Sequence, residues 1–149
     1  MNLRFLCARH RAWLEQDPRA AQDVWLRAYD TARSLRAEGE SERALRHAGA
    51  AVEAAVVALS CDDGKDARSL DRFADSCVLF LANLRELRQH GVARSFLGAA
   101  MQQLSDLMAA GAPRSGVMLA CQRLLAVDES GVHDRGSAVG PAPRSYNLH

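Results

Sequence analysis

Apolar residues recur every three or four positions along six successive segments of the chain, which is the spacing of one face of an α-helix. The clearest such stripe begins at Ala44 and ends at Leu59. No segment alternates apolar and polar residues as a half-buried strand would, so the fold is predicted to be all-α. The six predicted helices cover about residues 2–16, 18–38, 41–59, 67–90, 92–110 and 113 or 115–127.

Proline and glycine mark the predicted helix ends. Asp17-Pro18 separates the first two helices, because proline disfavours a helical residue before it and suits the first turn of a new helix. Gly39 and Gly91 are predicted to end the second and fourth helices. Residues 128–149 are rich in Gly, Pro and Ser, which predicts a flexible tail. The chain is therefore predicted to form one helical domain over residues 1–127, followed by that tail.

The amino-acid composition supports a helical fold. Aromatic residues make up only 5% of the 149 positions while apolar residues make up 48%, so alanine and leucine supply most of the core volume. Small apolar side chains favour closely packed helices over a β-sandwich, which needs β-branched and aromatic residues. A chain of this length is expected to form a single domain.

Charge and the N-terminal sequence bear on where the protein acts. A net charge of +1 gives no sign of a surface for nucleic acid or membrane. Arginines interrupt the N-terminus, so no signal peptide is predicted, and no window approaches the roughly 18 apolar residues of a membrane span. A cytoplasmic location is predicted, where four widely spaced cysteines would remain free thiols. Lys65 is the one lysine among 19 basic residues, which together with abundant alanine and glycine suggests a GC-rich bacterial genome.

Residues 28–53 resemble a tetratricopeptide repeat. Ala32 falls at the small position of the repeat's first helix, Leu35 at its large apolar position and Gly39 at its turn. The small and apolar positions of the second helix are matched by Ala44, Leu45 and Ala51. The preceding AWLEQDP, residues 12–18, resembles the junction that ends a repeat. The resemblance implies antiparallel helix pairs stacked as a short right-handed array, in which the first helices of the pairs line a concave binding surface.

The second helix pair departs from that pattern. The spacing from Gly39 to Gly91 is far longer than the family's period of about 34 residues. Phe96 stands where an alanine is expected, and Asn83 stands where a leucine is expected. The resemblance covers residues 12–59 well and residues 69–107 loosely. A generic α-helical bundle is the alternative.

The motifs of common enzyme classes do not occur in the sequence. It contains no HExxH, no GxSxG, no P-loop and no glycine-rich dinucleotide turn, so we predict no catalytic residues and no cofactor. The acidic cluster at Asp62-Asp63-Gly64 lacks the alternating ligands of an EF-hand. Cys7 and His10 could supply half of a metal site, but paired ligands at a recognisable spacing do not accompany them, so no metal site is predicted.

Arginines on the second and fourth helices are candidates for contacts to a partner. If these helices line a concave surface, their arginines and Asn83 could hold acidic groups or a C-terminal carboxylate through charge-assisted hydrogen bonds. Tyr29 is a candidate aromatic anchor. Interspersed acidic residues favour the alternative that these arginines pair with neighbours on a solvated face. The predicted partner-binding residues are Arg27, Tyr29, Arg33, Asn83, Arg85 and Arg88.

These features predict a non-enzymatic interaction or adaptor module that binds a protein or peptide partner. One alternative is a secretion-type or client-specific chaperone, because some bacterial secretion chaperones resemble tetratricopeptide proteins and are equally small. Another is a self-associating homodimer, because the helix ends lack obvious polar capping repeats. Neither nucleic acid nor membrane is a predicted partner.

Overall fold

Six α-helices make up the part of the chain that the structure describes. The computed structural model describes residues 3–133, with side chains for residues 3–127. Within these residues there is no strand, so the predicted all-α fold is confirmed. The helices are α1 (Ala8–Gln16), α2 (Pro18–Ala37), α3 (Ser41–Asp62), α4 (Ala67–Glu86), α5 (His90–Ala109) and α6 (Arg114–His133).

Local sequence fixes the two ends of α2. The Asp17 carboxylate accepts hydrogen bonds from the backbone N–H groups of Arg19 and Ala20, and Pro18 occupies the first helical position. Proline has no N–H there to leave unsatisfied. Gly39, which follows α2 in the turn to α3, adopts a φ of 79°, a left-handed conformation that glycine takes without steric cost.

The helices form an array with α3 and α4 at its centre. α3 packs between α2 and α4, while α1 lies on α2 and α3, and α5 and α6 pack on α4. Small side chains at the crossings let helix backbones approach closely. On α2 and α3 the fully buried alanines include Ala21, Ala32, Ala44, Ala48, Ala51 and Ala55. The array of consecutively packed helices is compatible with a helical-repeat fold.

Among residues 3–133, one helix, α3, is long and apolar enough to cross a membrane by length and composition. No such window was expected from the sequence. In the structure 56% of its apolar window is buried by the neighbouring helices. A helix enclosed by others in a core needs the same apolar composition as a span, so the composition of α3 is explained by its central position.

The N-terminus differs from the prediction. A helix was expected from residue 2, but α1 begins at Ala8, and residues 3–7 form a non-helical segment that we call the N-terminal strap. The Glu53 carboxylate on α3 accepts the backbone N–H groups of Phe5 at 2.9 Å and Leu6 at 2.7 Å. These bonds hold the strap against α3, which is why it does not continue α1.

The predicted boundaries near α4 and α6 also need correction. α4 ends at Glu86 rather than near residue 90, because the chain turns at Arg88, whose φ of 56° is left-handed. Gly91 therefore lies in the first turn of α5 instead of ending α4. α6 continues to His133, so residues 128–133 are helical and do not belong to the predicted tail. The remaining tail, residues 134–149, lies outside the described residues.

Candidate partner-binding cleft

An open cleft of about 470 Å³ lies between α2 and α4, and we call it the α2–α4 cleft. Its apolar lining comes mainly from Val78, Leu79 and Ala82 on two neighbouring turns of α4. Because α2 and α4 are the first helices of the two central hairpins, the cleft lies on one side of the array. Its lining residues are Tyr29, Arg33, Arg36, Ala37, Asp75, Val78, Leu79, Ala82 and Glu86.

Aromatic rings and guanidinium groups form a continuous stack that reaches one end of this cleft at Tyr29 and Arg33. The rings of Trp25 and Tyr29 stack with centroids 5.2 Å apart and an interplanar angle of 17°. The guanidinium of Arg33 lies 5.9 Å from the Tyr29 centroid, and that of Arg72 lies 5.4 Å from the Trp25 centroid. Each cation faces the negative face of a ring, so the stack holds both arginines in place.

A hydrogen bond orients Trp25 in that stack, and burial affects the phenol of Tyr29. The indole Nε1 of Trp25 donates to the hydroxyl of Ser76 on α4 at 2.8 Å, and this bond ties α2 to α4. Burial, and secondarily the negative charge of Asp75, raise the pKa of Tyr29. The Tyr29 phenol therefore stays protonated at neutral pH and can donate a hydrogen bond.

An ion pair closes the other end of the cleft. Arg36 on α2 donates from Nε to the Glu86 carboxylate on α4 at 2.8 Å, and Ser41 donates to the second carboxylate oxygen, also at 2.8 Å. Partial burial alone would raise the pKa of Glu86. The hydrogen bonds from Arg36 and Ser41 and the charge of Arg36 outweigh burial and hold that pKa below its ordinary value.

Replacing Glu86 by glutamine is expected to lower the free energy of unfolding at neutral pH but not in acid. The charged Glu86 contributes stability above about pH 4.3, and that contribution is lost as the carboxylate becomes protonated. The pKa of Glu86 is lowered by folding, which means that the folded protein favours the charged carboxylate. Both side chains of the pair are 39% exposed, so the loss at neutral pH should be under about 1 kcal/mol. Urea unfolding at neutral pH and at about pH 3 should show the variant approaching wild type in acid. Glu38→Gln, at an exposed carboxylate, is the control.

The structure separates the six predicted partner-binding residues. Tyr29 and Arg33 both line the α2–α4 cleft. Arg85 is half-buried on α4 and Arg88 lies in the turn before α5, and neither lines the cleft. Arg27 lines a different depression of about 530 Å³ between α1 and α2, beside an exposed Trp13.

Asn83 requires a correction, because its side chain has no exposed surface. Its amide Nδ2 donates to the backbone carbonyl of Leu79 at 2.8 Å, and its Oδ1 has no hydrogen-bond partner among the described residues. Asn83 therefore belongs to the interior of the array and cannot touch a partner in this conformation. A polar side chain was expected to face outward, but α4 is packed against α2, α3, α5 and α6, which leaves little of its circumference open.

Sequence reasoning missed all of the residues with which α4 lines the cleft. These residues lie on one side of the helix, because they follow one another at intervals of three or four positions except for one adjacent pair. They are Asp75, Val78, Leu79, Ala82 and Glu86. That spacing was visible in the sequence. Their mixed chemistry concealed it, since neither an apolar stripe nor a charged stripe stands out.

The candidate chemistry elsewhere has ordinary structural explanations. Among the side chains of residues 3–127, no group of three or more His, Cys, Asp or Glu is placed to hold a metal ion. Asp62 closes its loop by accepting from the Gly64 N–H at 2.7 Å and from the Ser69 hydroxyl at 2.6 Å. Burial raises the pKa of the Cys77 thiol well above its ordinary value, which keeps this thiol protonated and poorly reactive.

Comparisons of the chain with protein-family models, with curated proteins and with solved structures find no match. What the protein binds is therefore inferred from its own residues. Of the surfaces described above, the α2–α4 cleft alone combines apolar lining, an ordered aromatic stack and charged groups at both ends.

Proposed function

We propose that the protein is a non-enzymatic interaction module that binds a peptide, or an exposed segment of a protein partner, in the α2–α4 cleft. The observation that carries this proposal is the apolar floor of the cleft between two ordered polar ends. An apolar side chain of the partner would rest on Val78 and Leu79. The aromatic stack and the ion pair already fix the walls, so little ordering of the protein would oppose binding.

Arg33 is the group in the cleft best suited to an acidic residue or C-terminal carboxylate of the partner. The guanidinium of Arg36 is engaged by Glu86, and Arg123 pairs with Asp75. Among the residues that the structure describes, Arg33 contacts the Tyr29 ring and has no ion-pair partner. A partner carboxylate would meet an oriented cation whose charge is not already compensated. The net charge of +1 is consistent with a protein rather than a nucleic acid as partner.

The same cleft is the surface that a tetratricopeptide-like arrangement would use, and we propose this kinship for the α2–α3 hairpin. Ala32 and Ala44 are fully buried where the two helices cross, and Gly39 takes the left-handed turn. These are the positions at which the sequence resembles the repeat. In that arrangement α2 and α4 are the first helices of successive pairs, so their shared cleft corresponds to the concave surface.

The proposal is tested by capturing partners from native cell lysate and then measuring the affinity of the purified partner by calorimetry. Arg33→Glu should weaken binding at least about tenfold, because it removes the unpaired cation from the cleft. Ala82→Leu should weaken it similarly, because the added side chain fills the floor. Arg46→Glu, an equal charge reversal at an exposed position of α3, is the matched control and should bind as wild type.

Circular dichroism and urea midpoints must first show that the cleft variants remain folded. If both folded variants bind the partner with wild-type affinity, the α2–α4 cleft is not the binding site. If Arg46→Glu weakens binding as much as Arg33→Glu, net charge rather than the cleft governs the interaction.

A further inference from the structure

The N-terminal strap and α1 form one continuous segment, residues 3–16, which we call the N-terminal arm. Among the six described helices, α1 packs on α2 and α3 and on no other. Leu14 is the one buried residue within the described length of α1. The arm is therefore attached to the array by few buried apolar contacts.

The buried core of the described residues is divided into two clusters, and the arm supplies a buried side chain only to the smaller one. That smaller cluster consists of Leu14, Ala20, Ala21, Ala54 and Val57. The main core lies between Ala32 and Leu124, and none of its buried members comes from the arm. Phe5 of the strap reaches this core only through an edge contact with Phe80. The helices α2–α6 therefore keep their main core when the arm is not docked.

One buried carboxylate connects the arm to α3. The Glu53 side chain is 2% exposed, and each of its partners within residues 3–127 belongs to the arm. These partners are the Arg11 guanidinium and the backbone N–H groups of Phe5 and Leu6. A carboxylate is costly to bury unless it is paired, but it is readily hydrated. The docked arm both covers Glu53 and satisfies it, and water would satisfy it once the arm has left, so glutamate suits both states.

The start of α2 does not depend on the arm. The Asp17 carboxylate caps α2 locally, and Pro18 fixes the backbone of its first residue. Helix α1 has nine residues, fewer than the roughly 12–15 at which an isolated helix becomes marginally stable in water. Once it leaves α2 and α3, α1 is therefore expected to lose its helical hydrogen bonds, while α2 remains helical.

We propose that the N-terminal arm is a releasable cover, which opens at the Asp17-Pro18 junction while α2–α6 stay folded. Because Glu53 binds both the strap and α1, the two parts separate from α3 in one cooperative step rather than by gradual fraying. Opening uncovers the smaller cluster between α2 and α3 and exposes the Glu53 carboxylate beside it. The closed arm withholds this surface, and it does so independently of what the α2–α4 cleft binds.

Native-state hydrogen exchange of the full chain distinguishes opening of the arm from global unfolding. The amides of Phe5, Leu6 and residues 11–16 should be protected at least about a hundredfold less than amides at the centres of α3 and α4. Their exchange should respond weakly to low concentrations of urea, because opening of the arm exposes little surface. Exchange of the central amides should rise steeply, because it requires global unfolding.

Two substitutions test the same proposal from opposite sides. Leu104→Ala, at a fully buried leucine of α5, should accelerate exchange of the central amides at least about thirtyfold. It should change exchange of the arm amides by less than about twofold, because the arm opens without unfolding the main core. Glu53→Gln should accelerate the arm amides at least about tenfold. Glu42→Gln, at an exposed carboxylate of the same helix, is the control and should leave them within about twofold of wild type.

Three results would overturn the proposal. Arm and central amides that share one protection and one urea dependence would mean that the arm opens only by global unfolding, as would equal acceleration of both sets by Leu104→Ala. Arm amides without any protection would mean that the arm is not docked in solution. Arm amides that do not respond to Glu53→Gln would mean that this carboxylate does not hold the arm. The urea dependence needs no variant, so it decides the question even if Leu104→Ala fails to fold.

Discussion

Replacing Glu53 by alanine is expected to lower the free energy of unfolding by about 2–4 kcal/mol, since it removes several charge-assisted hydrogen bonds at once. The Glu53 side chain is only 2% exposed, and it forms a 2.9 Å ion pair with Arg11. It also accepts the backbone N–H groups of Phe5 and Leu6. Without the carboxylate, these donors are satisfied only if the N-terminal strap leaves α3 and is hydrated. The loss therefore measures how strongly the strap is docked.

Urea unfolding measures the loss, and limited trypsin digestion measures release of the strap. Cleavage after Arg4 should accelerate in Glu53→Ala if the strap detaches from the folded helices. Glu42→Ala, at an exposed carboxylate in the first turn of the same helix, is the control and should change stability by about 0.5 kcal/mol or less. A Glu53→Ala variant as stable as the control would mean that Arg11 and the strap contribute nothing to folding.

The start of α1 could not be predicted from local sequence. Leu3 and Leu6 have the spacing of a helical face, so a helix from residue 2 was the natural expectation. The competing acceptor for the Phe5 and Leu6 N–H groups lies 47 to 48 positions away along the chain. One signal was available, because Glu53 is the single charged residue from residue 48 to residue 60, in the middle of an apolar helix. A buried charge of this kind needs a partner, but the sequence does not say which.

The helices themselves were predictable because their ends are determined locally. Asp17 and Pro18 begin α2, and Gly39 follows its end, each through geometry that a few neighbouring residues define. The binding surface depends instead on the rotation of each helix about its axis. Tyr29 and Arg33 line the cleft, but Asn83 is buried because neighbouring helices surround α4. That rotation depends on tertiary packing. The polarity of Asn83 therefore led to the wrong prediction that its side chain faces outward.

The second large effect is expected from a pair of identical substitutions, Gly49→Ala in α3 and Gly98→Ala in α5. Both glycines lie inside helices, where alanine is favoured over glycine by about 0.5–1 kcal/mol. A Cβ at Gly98 would meet open space, so Gly98→Ala should stabilise the protein by that amount. A Cβ at Gly49 would lie within 3.0 Å of several Phe5 ring atoms, a separation that real contacts do not show.

Gly49→Ala should therefore displace Phe5 and destabilise the protein, because the ring loses its packing on α3 and its edge contact with Phe80, where the centroids are 5.5 Å apart. Phe5 is already 38% exposed, so the net loss after the gain in helix propensity is expected to be about 1–2 kcal/mol. The two variants should then differ by about 1.5–3 kcal/mol in urea unfolding.

Removing the Phe5 ring separates the clash caused by the added methyl group from the gain in helix propensity. In a Phe5→Ala background the clash is absent, so Gly49→Ala should become stabilising, as Gly98→Ala is in the wild-type chain. If Gly49→Ala stabilises the wild-type chain as well, Phe5 does not rest on Gly49 in solution. If it remains destabilising without the ring, the close approach at Gly49 involves another part of the fold, and the glycine is not there to admit Phe5.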